Sequence, residues 1–594
     1  MDKKADILFE VSWEVCNKVG GIFTVVTSKA AKMVEAYGEN YFMVGPYFAS
    51  KAIGNFEEEI PNELCKHPFE ELKKAGILCH SGKWLVEGSP NVILIDFENY
   101  KHMSNDIKKE LWDWYKIDSL RAPHDYDESV VWAYTAGMLL EKLSKCGAGK
   151  KIVAQFHEWL SGAGLLYLKK KNVKVATVFT THATILGRTL ANSNVDLYNV
   201  WDKINPEQEV YKYNIESKHL IEKNSAAFAD IFTTVSEITG MEASYLLKKK
   251  PDVLLPNGLD ISKFPSFEEV VIKHRLHRDR IREFMLCYFF PYYTFDPKET
   301  LIYFLAGRYE FHDKGIDIFI KSLGKLSERL KQAKTKKTIV AIIWVPANFR
   351  NIKPEILENK TLFQHIKEAL EEAIGDIEKN IIYSFVSGKK ISNETLFDND
   401  FLTEMKIRVA RFVKKGKPPV ATHDLYNEND EILKAISSSG LKNEESDPVK
   451  IIFYPIYLSG ADGLLNLNYY EAMQGSHVGI FPSYYEPWGY TPLEAGALGV
   501  SSVTTDLAGF GRYFCAECQQ FDTPGIFVLK RLNKSDDDVV SQLTDVMFKF
   551  ANFSKEERIA NKLQARKTAS MADWRSFVKN YIVAHDLAVE RVYK

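Results

Sequence analysis

The chain has 594 residues, and its 77 lysine and arginine residues nearly balance 79 aspartate and glutamate residues, which leaves a formal net charge of -2. This balance excludes a global attraction to nucleic acid or anionic membranes, and the length favours about two to four domains. The N-terminus lacks the apolar core of a signal peptide, no apolar run could span a bilayer, and the seven cysteines are scattered. We therefore expect a cytoplasmic protein without nucleic-acid or membrane partners.

Strand-like apolar runs alternate with segments of helical periodicity along the whole chain, which predicts an α/β fold built on parallel sheets. A turn-rich stretch at 258–266 separates two sets of these runs, so we expect two sheets that face one another across a crevice. The first set is 6–11, 151–156, 175–181 and 230–236, and the second is 303–308, 338–345, 449–455, 477–483 and 501–505.

A glycine pair, Gly20 and Gly21, follows the first predicted strand and opens a segment with the apolar periodicity of a helix. Adjacent glycines let a backbone approach a ligand closely because they carry no Cβ. The pair does not match the three spaced glycines of a dinucleotide-binding loop, so we infer no nicotinamide cofactor.

Two polar residues, His157 and Asn257, follow later apolar runs of the first half. In open α/β sheets, ligands bind beyond the carboxyl ends of the strands. Both residues are therefore candidates for the crevice. A histidine whose hydrogen bonds are satisfied within the core is the competing interpretation of His157.

Two cations flank the loop of the first strand–loop–helix unit in the second half. Arg308 lies just past the strand, and Lys314 lies just before a helix with a regular apolar face. Two cations beside a helix N-terminus predict a diphosphate site. The alternative is a loop with two solvated basic residues.

The stretch from about 350 to 448 is charged, helix-prone and interrupted by Gly, Lys and Pro. We interpret it as an insertion into the second domain that forms an assembly surface, and a merely solvated helical excursion is the alternative. Asp398 and Asp400 imitate a metal-binding DxD motif, but they lie in this insertion away from every predicted strand end. We therefore predict no metal site.

The segment YYEPWGYTPLE, residues 484–494, places two carboxylates in a stretch of aromatic and turn-forming residues. Its Thr491-Pro492-Leu493-Glu494 part has the form of a capping box, which predicts a helix with Glu494 in the first turn and Glu486 in the preceding loop. Trp488 crowds that loop in the manner of a sugar-stacking surface. The alternative is that Glu494 only completes the cap and Glu486 is a surface acid.

Taken together, several motifs resemble the glycogen synthases of animal and fungal type over essentially the whole chain. The motifs are NKVGGIFTVVTSKA, FHEWLSGAG, FTTHATILGR, FTTVSEIT, LLPNGLDISKF, AGRYEFHDKG and FPSYYEPWGYTPLE. The resemblance implies the GT-B architecture, in which two Rossmann-like domains face a deep cleft. It also implies retaining transfer of glucose from UDP-glucose to the non-reducing 4-OH of an α-1,4-glucan such as glycogen, without a cofactor, by a homo-tetramer.

The resemblance assigns roles to the second-domain candidates. Glu486 lies against the donor glucose, and Glu494 reaches the nucleotide ribose. Arg308 and Lys314 hold the donor diphosphate and stabilise the charge that develops on the leaving UDP. Tyr469 stacks on the nucleotide base.

In the first domain, the resemblance implies that His157 contacts the transferred glucose and that Asn257 donates or accepts a hydrogen bond with it. Lys18 stands where animal and fungal members carry Arg and bacterial members carry Lys, so positive charge is kept but bidentate geometry is lost. The remaining donor-binding candidates are Gly20, Gly21, Trp488, Gly489, Tyr490 and Thr491.

Arg558, Lys562 and Arg566 share one helical face by their four-residue spacing and match the glucose 6-phosphate site of the family. Glu556 and Glu557 dilute the positive charge of this helix, which leaves activation by glucose 6-phosphate an open alternative. These three basic residues are the candidate allosteric site.

We expect a first domain over 1–262 on the acceptor side and a nucleotide-sugar domain over 263–573, with a final helix over 574–594 that returns to the first domain. Two other functions stay open at this point. One is another GT-B reaction, such as a glucan phosphorylase with a pyridoxal cofactor, and the other is a glucan-binding scaffold that has lost activity.

Overall fold

A computed structural model describes residues 4–518 and 522–594. Within these residues, the first sheet has nine strands in the order β3-β4-β5-β2-β1-β6-β7-β8-β9, and its β3–β4 and β4–β5 pairs are antiparallel. The strands are β1 (Ile7–Val11), β2 (Tyr41–Pro46), β3 (Phe56–Glu58), β4 (Leu78–Trp84), β5 (Asn91–Asp96), β6 (Ile152–His157), β7 (Ala176–Thr181), β8 (Ile231–Thr234) and β9 (Val253–Leu254).

The second sheet is parallel throughout its described strands, in the order β14-β11-β10-β15-β16-β17. A separate antiparallel pair joins β12 to β13. The strands are β10 (Thr300–Ala306), β11 (Thr338–Trp344), β12 (Phe349–Ile352), β13 (His423–Leu425), β14 (Val449–Tyr454), β15 (Val478–Ile480), β16 (Ser501–Thr505) and β17 (Ile526–Leu529).

Helices connect the strands and cover both sheets. In the first domain they are α1 (Gly21–Tyr37), α2 (Ala49–Ala52), α3 (Glu63–Lys74), α4 (Ser104–Tyr115), α5 (His124–Cys146), α6 (Glu158–Lys170), α7 (Ile185–Asn192), α8 (Leu197–Val200), α9 (Pro206–Lys212), α10 (Glu216–Phe228) and α11 (Glu237–Leu246). After β9 they are α12 (Phe267–Phe289), α13 (Ile316–Gln332), α14 (Pro354–Val386), α15 (Asn393–Leu396), α16 (Asn399–Phe412), α17 (Glu431–Ser438), α18 (Tyr469–Gly475), α19 (Tyr490–Ala497), α20 (Gly509–Cys518), α21 (Asp536–Asn552), α22 (Lys555–Met571) and α23 (Trp574–Val592).

Every apolar run that the sequence predicts as a strand overlaps a strand of the structure, which confirms the two parallel sets. These strands are buried along their whole length, as β1, β6, β7 and β14 illustrate, so their sequences read as continuous apolar segments. The half-exposed antiparallel strands β3 and β4 carry no such signal and were missed, and the mostly buried strands β2, β5 and β17 were missed too.

The stretch at 350–448 contains β12, α14, α15, α16, β13 and α17. The 33-residue α14 packs against α16 to form a long helical hairpin. Several large apolar side chains of this hairpin are exposed, among them Ile374, Ile382, Tyr383, Phe385 and Ile407. Asp398 caps α16 by accepting a hydrogen bond from Phe401 N–H, which accounts for the DxD stretch.

The chain crosses between the domains twice at neighbouring points. Leu259 pairs with Asp573, and Leu259 N–H donates to Ala572 O at 2.9 Å. A Cβ on Gly258 would lie 2.6 Å from the ring of Trp574, so only glycine permits this close approach. After the second crossing, α23 packs on β6, β7, β8, β9 and α1.

Candidate active site

Lys314 and Glu486 meet at the carboxyl ends of neighbouring strands of the second sheet. Lys314 Nζ donates to Glu486 Oε2 at 2.5 Å, and both side chains are about four-fifths buried, with exposures of 18% and 19%. Gly315, between Lys314 and α13, has φ 66°, and a Cβ there would lie 2.1 Å from Pro482 O. This glycine therefore lets the lysine loop pack directly against the glutamate loop.

The helix after Glu486 begins earlier than the sequence predicts. α19 starts at Tyr490 with Gly489 as its N-cap at φ 105°, no side chain caps it, and Glu494 lies beyond its first turn. The predicted capping box is therefore wrong. Because no side chain caps the helix, the N–H groups of Tyr490 and Thr491 donate to no acceptor in the part of the chain that the structure describes. Thr491 lines the same small cavity as Lys314 and Glu486.

The first N–H groups of α13, unlike those of α19, already have hydrogen-bond acceptors. The N–H groups of Ile316 and Asp317 both donate to Phe311 O, at 3.0 and 3.4 Å. The predicted diphosphate site consequently lacks free amides at α13, and α19 offers them instead. Arg308 does not join Lys314 either, because it is exposed and pairs with Glu310 at 2.8 Å.

Glu494 lies against two tyrosines of α18. Tyr470 OH donates to Glu494 Oε1 at 2.9 Å, and Tyr469 OH donates to Glu494 Oε2 at 3.3 Å. Burial raises the pKa of Glu494 to about 7, although both hydrogen bonds oppose the increase. Trp488, by contrast, packs in the core against Phe510 and Phe577, so its ring provides no stacking surface for a sugar.

On the first domain, both ring nitrogens of His157 contact protein groups. Nε2 lies 2.7 Å from Glu10 Oε1, and Nδ1 lies 2.9 Å from His182 Nε2. The predicted contact with glucose therefore cannot use a free nitrogen of this ring. The next residue, Glu158, has φ 64°, which is a strained conformation for glutamate and is typical of functional turns.

Asn257 is buried, with 4% exposure, and its Oδ1 has no hydrogen-bond partner among the described residues. An orphaned buried acceptor of this kind fits a ligand hydroxyl. Lys18 is exposed at the start of the Gly20-Gly21 loop. Gly20 N–H is already occupied, because it donates to Glu14 Oε2 at 2.7 Å, whereas a Cβ on Gly21 would meet nothing within 4 Å.

Arg188 on α7 is a cation that the sequence analysis passed over, although it ends the quoted motif FTTHATILGR. Burial lowers its pKa, but the charges of Tyr485, Glu158 and Glu310 outweigh this effect and raise it. Since Tyr485 and Glu310 belong to the second domain, Arg188 lies where the two domains face one another. An Arg in the first turn of the helix that follows a buried strand is the signal that could have identified it.

The loop that carries Glu486 is fastened to the first domain by its two preceding tyrosines. Tyr484 OH donates to Asp196 Oδ1 at 2.9 Å, and Tyr485 OH donates to Glu242 Oε1 at 3.0 Å. Burial raises the pKa of Glu242 to about 7. The loop that carries Glu486 therefore lies at the cleft between the two domains.

The candidate allosteric residues lie away from this cleft on α22, opposite α12. Lys562 Nζ lies 2.6 Å from His274 Nδ1, and burial together with Arg278 and Arg558 lowers the pKa of Lys562 to about 7. Arg566 donates to Ala497 O at 3.0 Å. The face of α22 that carries Arg558, Lys562 and Arg566 is therefore basic. Arg278 of α12 adds a further positive charge beside it.

One group of potential metal ligands, His312, Asp317 and Asp536, has its ligand atoms within 4.8 Å of one another in the described residues. Arg531 is buried beside them and lies 3.3 Å from Asp536, and the charge of Asp317 also acts on it. Because Arg531 already pairs with Asp536 and His312 Nδ1 lies 3.1 Å from Asp317 Oδ2, we assign no metal to them.

Comparisons with known proteins bear on the whole chain. The family model described as glycogen synthase matches residues 10–594. The chain belongs to the glycogen synthase family. It is 40% identical to the Dictyostelium discoideum glycogen synthase, covering 99% of this chain and 67% of that protein. It is 37% identical to isoform 1 of Saccharomyces cerevisiae, covering 100% and 87%, and 36% identical to the human liver enzyme, covering 99% and 84%.

The catalytic domain of starch synthase IV from Arabidopsis thaliana, solved with ADP and acarbose, has the same fold. It aligns with a TM-score of 0.51 at 14% identity, covering 99% of this chain and 100% of that chain. The likeness confirms the predicted GT-B arrangement for this family member. No described helix is long and apolar enough to cross a membrane.

Proposed function

We propose that the protein transfers glucose from UDP-glucose to the non-reducing 4-OH end of an α-1,4-glucan, such as glycogen, with retention at C1. Membership in the glycogen synthase family supports the choice of donor and acceptor. The observation that carries the proposal is the buried contact between Lys314 and Glu486 beside the uncapped start of α19. It combines a cation, free amides and a carboxylate around one small cavity.

This arrangement matches the charges that develop during the reaction. As the bond between C1 and the diphosphate oxygen breaks, negative charge builds on UDP, and Lys314 with the N–H groups of Tyr490 and Thr491 can stabilise it. The sugar becomes oxocarbenium-like, and the carboxylate of Glu486 suits that side. The acceptor O4 bonds to C1 as the bond from C1 to the diphosphate breaks, and the departing phosphate oxygen of UDP takes the proton of the acceptor hydroxyl.

The other candidates divide between the two ends of the donor. Asn257, with its orphaned Oδ1, is suited to a glucose hydroxyl. Glu494 and Tyr469, which contact one another, are suited to the nucleoside, where a carboxylate can accept from the ribose. Arg308 is exposed, and Arg188 faces Tyr485 and Glu310 of the second domain, so both cations can approach the diphosphate when the domains close.

The substitution Glu486→Gln tests the assignment. We expect the variant to fold normally and to release UDP from UDP-glucose and glycogen at least about a hundredfold more slowly, because the carboxylate acts mainly in the transition state. Glu428→Gln, an exposed loop glutamate, is the matched control and should keep wild-type turnover. Near-wild-type turnover by Glu486→Gln would remove this residue from the mechanism.

The purified wild-type protein also tests the two alternative functions, a glucan phosphorylase with a pyridoxal cofactor and an inactive glucan-binding scaffold. The proposed reaction needs no cofactor, so we expect no visible absorbance from a bound pyridoxal group and no dependence of glucan release on phosphate. A silent scaffold would bind glycogen but release no UDP. We further propose that the exposed apolar side chains of the α14–α16 hairpin form the contacts of a homo-tetramer.

A further inference from the structure

A buried carboxylate of the first domain accepts hydrogen bonds from both domains. Glu242 of α11 is 2% exposed, and its Oε1 accepts from the Thr184 hydroxyl and from Tyr485 OH, the latter at 3.0 Å. Thr184 lies in the first domain, before α7, whereas Tyr485 lies in the second, between β15 and α19. One carboxylate oxygen therefore joins the two domains at a buried point.

The first-domain side of this contact is the start of α7. Thr184 is the N-cap of α7, and its Oγ1 accepts from Gly187 N–H at 3.0 Å while its hydroxyl donates to Glu242. A Cβ on Gly187 would lie 2.1 Å from Glu242 Oε1, so only glycine lets the carboxylate lie against this turn. Glu242 is consequently fixed relative to α7, which carries Arg188.

The second-domain side of the contact is the residue before Glu486. Tyr485 N–H donates to Asp313 O at 3.2 Å, and Asp313 directly precedes Lys314. Through its backbone and its hydroxyl, Tyr485 thus joins three segments, which are the Lys314 loop, the Glu486 loop and the start of α7. The first two of these segments supply the contact between Lys314 Nζ and Glu486 Oε2 at 2.5 Å.

The ring of Tyr485 and its hydroxyl make different contributions. The ring belongs to an apolar cluster that includes Leu186, Ile238 and Leu507. The hydroxyl donates to Glu242. Phenylalanine would keep the apolar packing and lose the hydrogen bond, so one substitution separates the two contributions.

Burial and nearby charges decide the protonation of Glu242. Burial raises its pKa to about 7, although the hydrogen bonds from Thr184 and Tyr485 and the charge of Arg188 oppose the increase. Among the described residues, the titratable groups that face it are Arg188 of α7, Tyr198 of α8, Glu222 of α10 and Tyr485. On α20, which also packs against α11, Arg512 pairs with Glu237 at 2.9 Å.

Ionisation of Glu242 strengthens the link between the domains. A carboxylate only accepts hydrogen bonds, and hydrogen bonds to a charged acceptor are stronger than those to a neutral one. Because the pKa of Glu242 is about 7, the hydrogen bond from Tyr485 OH is strongest above neutral pH and weakens as the pH falls.

We propose that Glu242 is a positioning residue, which holds the loop with Glu486 against the start of α7 through the hydroxyl of Tyr485. The inference rests on the proposed function, because its readout is the transfer of glucose. Glu242 acts through Tyr485 and not by contact with the donor. Its role is to fix where Glu486 and Lys314 lie relative to Arg188 of the first domain.

Tyr485→Phe tests the hydroxyl. We expect kcat for UDP release from UDP-glucose and glycogen to fall about tenfold, because a hydrogen bond to a charged group is lost. KM for UDP-glucose should change less than about twofold, since the hydroxyl positions a group that acts in the transition state. Tyr245→Phe, which alters a partly exposed tyrosine of the same helix as Glu242, is the matched control and should keep wild-type kcat.

Glu242→Gln separates positioning from a merely structural role. Glutamine is neutral at every pH, whereas wild-type Glu242 is mostly ionised at pH 8 and mostly protonated at pH 6. The ratio of wild-type kcat to variant kcat should therefore be several-fold at pH 8 and approach one at pH 6. Glu494 titrates in the same range but is present in both proteins, so its effect cancels in the ratio.

The double variant with Tyr485→Phe and Glu242→Gln tests whether the two residues act together. If Glu242 acts through the tyrosine hydroxyl, its substitution should cause little further loss of kcat once that hydroxyl is absent. Thermal unfolding of each variant at both pH values shows whether it is folded. The Tyr485→Phe result stands by itself if Glu242→Gln does not fold, because the tyrosine ring and its packing are retained.

Three results would overturn the inference. Wild-type kcat in Tyr485→Phe would remove the hydroxyl, and an equal kcat ratio at pH 6 and pH 8 would leave Glu242 with a structural role alone. Additive losses in the double variant would show that Glu242 does not act through Tyr485. If the wild-type protein releases no UDP, the proposed function is contradicted, and the inference falls with it.

Discussion

Lys314 is the residue whose charge the proposed reaction uses most directly. Removing it with Lys314→Met should lower kcat about a hundredfold or more, because negative charge on the leaving UDP then meets only the amides of α19. KM for UDP-glucose should change less, since those amides and the nucleoside contacts remain. Steady-state kinetics with glycogen as acceptor measures both constants.

Lys321→Met is the matched control for this change, because Lys321 is an exposed lysine of the adjacent helix α13. It should leave both constants unchanged. A Lys314→Met enzyme with normal kcat and a raised KM would show that the lysine contributes only to ground-state binding.

The raised pKa of Glu494 predicts that the stability of the folded protein depends on pH. Its pKa is about 7 in the folded protein, so the folded state holds a proton that an unfolded glutamate has already lost. Unfolding then releases this proton between about pH 4.5 and pH 7, and stability falls as pH rises through that interval. Glu494→Gln should show a smaller decrease of Tm between pH 5 and pH 8.

Thermal unfolding followed by circular dichroism at several pH values checks this expectation, with Glu428→Gln as the control that keeps the wild-type slope. An equal slope in Glu494→Gln would place the proton elsewhere. Glu242, whose pKa is also about 7, contributes in the same direction and remains in both variants.

Residue types near the site were predictable from the sequence, but their geometry was not. The pairing of Lys314 with Glu486 follows from two strand–loop–helix units whose strands lie in one sheet, and that much is visible in the chain. The use of Gly489 as the N-cap depends on its left-handed conformation and on the burial of Trp488, which are consequences of tertiary packing. The hydrogen bonds that occupy His157 also join residues far apart in sequence, so no local pattern reveals them.

At the scale of elements, α22 and α12 form the basic surface assigned to an anionic effector. We propose that glucose 6-phosphate binds there, as the resemblance implies. Lys562 has a pKa of about 7, so it gains a proton as pH falls through neutrality, and binding of the anion should tighten between pH 8 and pH 6. Calorimetric titration of the purified protein with glucose 6-phosphate measures this trend.

Lys562→Met should bind more weakly and with less dependence on pH. Lys579→Met, an exposed lysine of α23, serves as the control. If the wild-type protein binds no glucose 6-phosphate at either pH, the proposed allosteric site is contradicted. That result would agree with the alternative that Glu556 and Glu557 dilute the positive charge of α22 too far for binding.

Burial explains only part of the difference in how well the sequence predicts the strands, because the buried strands β2 and β5 were missed as well. Strands such as β11 and β14 are buried on both faces, so their apolar runs are continuous and their bounds were predicted within a few residues. Antiparallel β4 is mostly half-buried and contains Cys79, His80, Ser81 and Lys83, which no strand pattern identifies. Its place in the sheet depends on pairing with β5.

At the scale of the whole molecule, substitutions on the exposed apolar side chains of the α14–α16 hairpin test the proposed homo-tetramer. Ile382→Asp with Phe385→Asp places charges on exposed apolar positions of α14, which should disfavour burial in an interface and dissociate the tetramer. Light scattering coupled to size exclusion measures the mass of the assembly relative to the 68.0 kDa chain.

Glu378→Gln, on an exposed polar position of the same helix, should leave the mass unchanged. A wild-type protein that elutes as a monomer would contradict the proposed tetramer. The GT-B fold would stand in either case, since both sheets and the cleft belong to one chain.

The return of α23 to the first sheet has a consequence for biosynthesis. Trp574 and Tyr581 are almost wholly buried there, and Tyr581 covers Lys29. Both residues are synthesised only after the entire second sheet, although they complete the core of the first domain. Most domains, by contrast, fold in the order in which they are synthesised. The first domain therefore cannot complete its core until α23 has been synthesised, and its apolar face stays exposed during that interval.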